Sequence, residues 1–214
     1  MKILLIIAVS LGLAGCATSG PNGNKKTLFG AGVGTAVGAG VGAIIGHQSG
    51  NRDKGALIGA MLGGSLGGVV GRRLDKQAAE LAAIAETRRT EQGLVTKLKG
   101  DLLFSSGSSS LSAEAQSNLS QISGIMKKYP ENVITVIGHT DSQGSDSSNM
   151  NLSEQRAKSV RNYMATQGIS PASLNFVGMG ESSPIAANTD ANGRQMNRRV
   201  ELNITVDPSK VPQQ

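Results

Sequence analysis

Cysteine occurs once in these 214 residues, tryptophan is absent, and histidine stands only at His47 and His139. A single cysteine excludes a disulfide within the chain and any cluster of thiolate metal ligands. Two distant histidines leave a zinc hydrolase site dependent on carboxylates for its other ligands, and no metal or other cofactor is implied. Three phenylalanines and two tyrosines are too few to build the stacking platforms that hold single-stranded nucleic acid. The net charge of +6 therefore needs another explanation, and a nucleic-acid partner is not expected.

Glycine, by contrast, is abundant and placed with a period. It occupies positions 34, 38, 42 and 46, then 55, 59, 63, 67 and 71, among Ala, Val, Ile and Leu. In water each interior glycine weakens a helix by about 0.5–1 kcal/mol relative to alanine, so the period needs a reason of its own. A spacing of four sets the glycines along one helix face, where two backbones can approach closely, as in small-xxx-small packing. Residues 29–71 thus read as a glycine-zipper helical hairpin turning at His47–Lys54. Each arm is roughly 26 Å long at 1.5 Å per residue, near the short limit for crossing a hydrocarbon core. A membrane-inserted hairpin, a hairpin that buries its faces by self-association into a homo-oligomer, and a flexible linker all remain open. The charged loop Asn51-Arg52-Asp53-Lys54 opposes insertion, and the periodicity opposes a linker.

Met1-Lys2 supplies a short positive region, Ile3 to Leu13 an apolar stretch too short to span a bilayer, and Leu13-Ala14-Gly15-Cys16 a small-residue cleavage site. These residues resemble a bacterial lipobox. The resemblance implies that residues 1–15 are a lipoprotein signal peptide and that Cys16 carries a diacylglyceryl thioether and an acylated N-terminus. Three acyl chains would anchor the protein by tens of kcal/mol, at about 0.8 kcal/mol per buried methylene. Residue 17 is Ala rather than Asp, which implies sorting to the outer membrane with the chain facing the periplasm. Residues 16–28 read as a flexible tether. Charge sorts accordingly: residues 16–89 hold nine Lys or Arg against four Asp or Glu, and residues 90–214 hold eleven of each. Lys25-Lys26 and Arg72-Arg73 flank the zippers, where cations face anionic head groups.

From Leu74 to Arg89 the stripe Leu74, Ala78, Leu81, Ala82 and Ala85 predicts a polar connecting helix, assigned to residues 72–92. Alternation from Gly93 through Phe104 predicts a first strand. Ser112 caps a helix whose Ala115, Leu119, Ile122, Met126 and Tyr129 share a face, and Pro130 stops it. Val133–Ile137 is a continuous β-branched run, the pattern of a buried parallel strand. A second helix is expected from Ser153 to Gln167, closed by Gly168, with strands at 173–177 and 199–206. The order βαβαββ gives a two-layer α/β sandwich over residues 93–206, followed by a tail at 207–214.

Between the second strand and its helix lies Gly-His-Thr-Asp-Ser-Gln-Gly-Ser-Asp-Ser-Ser-Asn-Met-Asn-Leu-Ser-Glu-Gln-Arg, residues 138–156. Asp141 would accept from an ammonium, and Arg156, expected in the first helical turn, would grip a carboxylate with its planar fork. One amino-acid head group satisfies both, although an ordinary surface ion pair fits the spacing equally well. Thr140-Asp141, Gly144, Asn149, Leu152-Ser153, Arg156-Ala157, Val160, Gly168, Gly178-Met179-Gly180-Glu181, Pro184 and Asn197-Arg198-Arg199-Val200-Glu201 stand in one order. This pattern closely resembles the OmpA-like C-terminal domain, a peptidoglycan-binding module. The whole layout, zipper included, is similar to the YiaD-type subgroup of outer-membrane lipoproteins.

The resemblance implies that Asp141 and Arg156 clamp the amine and carboxylate of diaminopimelate in the wall's stem peptide, with Asn149 shaping the cleft and Thr140 beside it. Leu152 and Arg198 are candidate secondary contacts. Pairing with Glu201 or Glu181 is the structural alternative for Arg198 and Arg199. One departure stands out: the family often carries an aspartate after the Phe of its first strand, whereas Phe104 precedes Ser105-Ser106-Gly107. That departure argues against any ligand contact from this loop and lowers the expected affinity. His139 and Asp141, two positions apart, do not make a hydrolase triad, and no enzyme is expected. The expected function is a lipid-anchored tether between outer membrane and peptidoglycan. The alternative is a glycine-zipper assembly or membrane-active protein that wall binding positions.

Overall fold

Five strands form one sheet in the order β1-β2-β5-β3-β4, with helices packed on one face, in a computed structural model that describes residues 68–211. The strands are β1 (Glu86–Thr90), β2 (Gly93–Lys99), β3 (Asn132–His139), β4 (Leu174–Gly178) and β5 (Arg199–Val206). The helices are α1 (Gly68–Ala82), α2 (Gly100–Leu103), α3 (Ala113–Met126), α4 (Asp146–Thr166) and α5 (Ala191–Asn197). From β2 onward the strands and the helices α3 and α4 follow the expected βαβαββ order. Cys16, the tether and the zipper through residue 67 lie outside the described residues.

The core follows from period. Leu94, Thr96 and Leu98 of β2 pair across from Ile204, Leu202 and Val200 of β5, so one face of the sheet is apolar and meets Leu119, Ile122, Val160 and Met164 from the helices. β3 runs parallel to β4 and antiparallel to β5, so the buried run at 133–137 sits inside the sheet. α4 is the crossover between the two parallel strands. It lies close, because a Cβ on Gly138 would come within 2.1 Å of the Ser153 carbonyl oxygen and one on Gly178 within 2.5 Å of the Glu154 nitrogen. The same approach lets the buried Ser153 hydroxyl accept from the Gly180 N–H at 2.9 Å, tying the loop after β4 to α4.

Three element boundaries differ from the sequence reading. The connecting helix ends at Ala82, where Ile84 and Ala85 N–H both return to the Leu81 carbonyl. Residues 86–90 then pair with β2 as an edge strand instead of extending the helix to Arg89. Pairing wins because Thr87 bonds Thr96 across the ladder at 3.1 Å and Arg89 turns back onto α1, pairing with Asp75 and donating to the Gly71 carbonyl. The first strand stops at Lys99, not Phe104. Gly100 donates to the Arg198 carbonyl at 2.8 Å, and the chain makes the single helical turn α2 before Phe104 bridges Leu111.

The third difference bears on the site. α4 starts at Asp146, two turns before Ser153, with Ser145 as the cap whose hydroxyl accepts from Ser148 N–H. The run of Ser and Asp that reads as a loop is the first turn of the helix, because these residues serve as caps. Arg156 therefore lies in the third turn, about 15 Å along the axis from the free N–H groups. A carboxylate held by Arg156 gains nothing from the helix N-terminus.

α1 is part of the folded body. Leu74 and Leu81 are fully buried, and Gln77 reaches the Met126 sulfur at 3.3 Å. Arg73 donates to the buried Glu131 at 2.7 Å and lies over the Tyr129 ring.

Candidate functional site

Thr140 and Asp141 leave the C-terminal end of β3, where the Thr140 N–H donates to the Gly180 carbonyl at 2.9 Å. That bond fixes the chain as it turns away from the sheet. Asp141 is buried: Oδ1 accepts from its own loop, from Gln143 N–H at 3.1 Å, and Oδ2 accepts from Arg198 Nη1 at 2.8 Å. Asn149 on α4 donates to the Asp141 carbonyl at 3.2 Å and to Glu181 at 2.6 Å, joining the loops after β3 and β4. Thr140 Oγ1 is buried with no partner among the described residues.

Arg156 stands two turns along α4 from Asn149, on the same face, and is 5 % exposed. Its guanidinium lies 5.1 Å from the Phe104 ring centre, and its Nε donates to the Ser108 carbonyl at 2.9 Å. Among the described residues only Nε has a hydrogen-bond partner, so the terminal nitrogens remain as donors. Burial lowers the Arg156 pKa, while the nearby Asp101 and Asp141 act to raise it and Arg198 adds to the lowering. The guanidinium stays charged, since its ordinary value is far above neutrality. A desolvated, aromatic-backed fork with free N–H groups is suited to a carboxylate.

Arg198, between α5 and β5, completes the cluster. Its Nε and Nη2 donate to the two oxygens of Asp101 on α2, each at 2.9 Å, while Nη1 holds Asp141. Gln195 also donates to Asp101, at 3.2 Å. The Arg198 guanidinium holds the Asp101 carboxyl below its usual range, and both carboxylates raise Arg198 itself. Arg198 therefore pairs with Asp101 and Asp141 rather than with Glu201 or Glu181. Glu201 belongs to Arg199, at 2.7 Å, and Glu181 to Asn149.

Of the residues singled out from the sequence, the fold gathers Thr140, Asp141, Asn149, Arg156 and Arg198, and leaves Leu152 half-buried on α4. It adds three groups that the sequence reading did not assign to the site: Asp101, the Ser108 carbonyl and the Phe104 ring. Asp101 had a local signal, an acid beside a glycine in an otherwise apolar stretch, but its partner is remote in sequence. Ser108 shows that the loop after Phe104 does contribute, through its backbone and not through a carboxylate.

Residues 103–198 match the OmpA family model, and residues 1–75 match the YMGG-like Gly-zipper model. Residues 103–198 thus resemble an OmpA-family domain. It is 36 % identical over 117 residues to the probable lipoprotein YiaD of Escherichia coli strain K12, covering 55 % of this chain and 53 % of that one. Over 103 residues it is 36 % identical to the peptidoglycan-binding protein ArfA of Mycobacterium tuberculosis, covering 48 % of this chain and 32 % of that one. The chain thus spans about half or less of the length of these relatives. Among solved structures, the cell wall anchor of the T6SS from Pseudomonas aeruginosa superimposes with a TM-score of 0.54 at 29 % identity, covering 63 % of this chain and 95 % of that one.

Proposed function

We infer that this protein binds peptidoglycan non-covalently and, through lipid on Cys16, ties the outer membrane to the wall. The observation that carries the reading is the pairing of a buried carboxylate, Asp141, with a buried guanidinium, Arg156, whose terminal N–H groups are unengaged among the described residues. A zwitterionic amino-acid head, its ammonium on Asp141 and its carboxylate on Arg156, complements that pair. In the wall's stem peptide the side-chain end of diaminopimelate is such a head. The similarity to the peptidoglycan-binding protein ArfA and to the T6SS cell wall anchor supports a wall ligand, and that to the probable lipoprotein YiaD supports a lipid anchor. The protein binds its ligand without transforming it.

Two charge-assisted contacts contribute roughly 1.5–3 kcal/mol each, and association costs part of that. Binding per site is accordingly weak, on the order of millimolar to micromolar. Retention comes from the density of the wall and from an anchor that keeps the protein beside it. Purified sacculi should co-sediment the wild-type chain and not Asp141→Ala, with unchanged circular dichroism. If the variant pellets like wild type, Asp141 does not hold the ligand.

A further inference from the structure

Asp101 lies outside the residues that match the OmpA family model, yet it makes more hydrogen bonds to Arg198 than Asp141 does. A guanidinium offers one edge of Nε and Nη2 and one of Nη1 and Nη2, and it is planar, so fixing the first edge fixes what Nη1 can reach. Asp101 occupies that first edge with both oxygens, and Gln195 holds Asp101 in place. Nη1 is left to meet Asp141 through a single oxygen. Among the described residues Asp141 Oδ1 then has only the Gln143 backbone N–H as a partner and keeps capacity for an incoming ammonium.

Charge leads to the same place. Asp101, Asp141, Arg156 and Arg198 form a group of two carboxylates and two guanidiniums, near enough that Asp101 and Asp141 both act on Arg156. Such a group is neutral overall and suits a ligand head that is itself neutral overall. Without the Asp101 charge, the group would carry one net positive charge, and Arg198 would be free to turn its full fork onto Asp141. Both changes oppose an ammonium, and neither opposes a carboxylate.

We propose that Asp101 is a positioning residue that sets the ligand preference of the site: by engaging Arg198 it keeps Asp141 available to an amine, so that amino acids are chosen over plain carboxylates. The inference rests on the reading that Asp141 and Arg156 hold an amino-acid head group. A general structural role for Asp101 would weaken every ligand alike, and a role through Arg198 weakens only those that carry an amine.

The test uses the full chain in detergent, titrated calorimetrically with free meso-diaminopimelate and with pimelate, the same dicarboxylate without its two amines. Wild type should prefer diaminopimelate. Asp101→Asn should lose about tenfold in affinity for diaminopimelate, the loss of roughly one charge-assisted contact, while pimelate binds as well as before or better. In an Arg198→Gln background the further change Asp101→Asn should alter the ratio far less, since only the charge of Asp101 and no longer its hold on Arg198 is lost. Equal weakening of both ligands, an unchanged ratio in the single variant, or the same shift in the Arg198→Gln background would each overturn the proposal. Wild type that ignores both ligands would overturn the binding reading and this inference together, whereas wild type that binds beside an indifferent Asp101→Asn overturns this inference alone.

Discussion

At the scale of single residues, burial decides which charges can do chemistry. Arg156 loses the hydration of its side chain and regains contact from the Phe104 ring and the Ser108 carbonyl, so its fork is held in one orientation before a ligand arrives. Lysine at this position would keep the charge and lose the planar pair of donors. Arg156→Lys should therefore weaken diaminopimelate about tenfold or more while lowering the melting temperature only by the few degrees that loss of the Ser108 bond entails, as calorimetry and thermal unfolding together would show. Equal affinity in the two proteins would mean that the fork is not used.

His139, one strand end away, is a titrating group with a different consequence. It is 4 % exposed, its ring nitrogens have no partner among the described residues, and its register partner on β5 is Arg199. Burial, with a smaller push from Arg199 and a weak opposing pull from Glu201, lowers its pKa from 6.5 to about 4. The unfolded chain therefore binds the proton that the folded chain refuses between those values. This contribution is whole above pH 6.5 and is lost as pH falls toward 4, by about 3 kcal/mol in all. Urea unfolding of wild type beside His139→Leu, from pH 4.5 to 7.5, should show a difference that depends on pH in this sense. A constant difference would contradict it.

At the scale of elements, what was legible in the sequence followed from period and capping. The Ser112 cap, the α3 face, the buried β3 run and the span of β5 are local patterns, and the structure bears them out. The start of α4 was not legible, because Ser145 to Ser148 suit a loop and a capped first turn equally well. Asp141, Arg156 and Asn149 stood in a recognisable order, whereas the Asp101–Arg198 contact depends on how α2 and the start of β5 meet. The strand at 86–90 shows the same limit: Glu-Thr-Arg-Arg-Thr carries no apolar period, and only pairing with β2 decides it. One result concerns the boundary of the folded part. Since α1 buries Leu74 and Leu81 in the same core as α3, a chain begun at residue 90 would lose the edge strand and both leucines. Leu81→Ala in the full chain should cost about 2–5 kcal/mol of unfolding free energy, measured in urea. A cost below ~1 kcal/mol would show that α1 is loosely held.

At the scale of the whole molecule, the proposed function joins a weak receptor to a strong anchor. Charge divides along the chain, with the excess of cations before residue 90 and a balanced receptor after it. In the proposed tether, the residues before α1 serve attachment and spacing, so deleting residues 30–67 should leave sacculus binding nearly unchanged. If the deletion abolished binding while the fold of residues 68–214 survived, zipper assembly would be part of the function rather than its support. The zipper match of residues 1–75 makes that comparison informative in either direction.

In the proposed function Asp141 and Arg156 grip the two ends of an amino-acid head group. A nuclear magnetic resonance titration of the labelled protein with free meso-diaminopimelate tests it most directly. The account predicts saturable shifts at the Gln143 amide and the Arg156 side chain, with a dissociation constant between millimolar and micromolar, absent in Asp141→Ala and Arg156→Ala. Shifts confined to other surfaces, or shifts that persist in both variants, would contradict it.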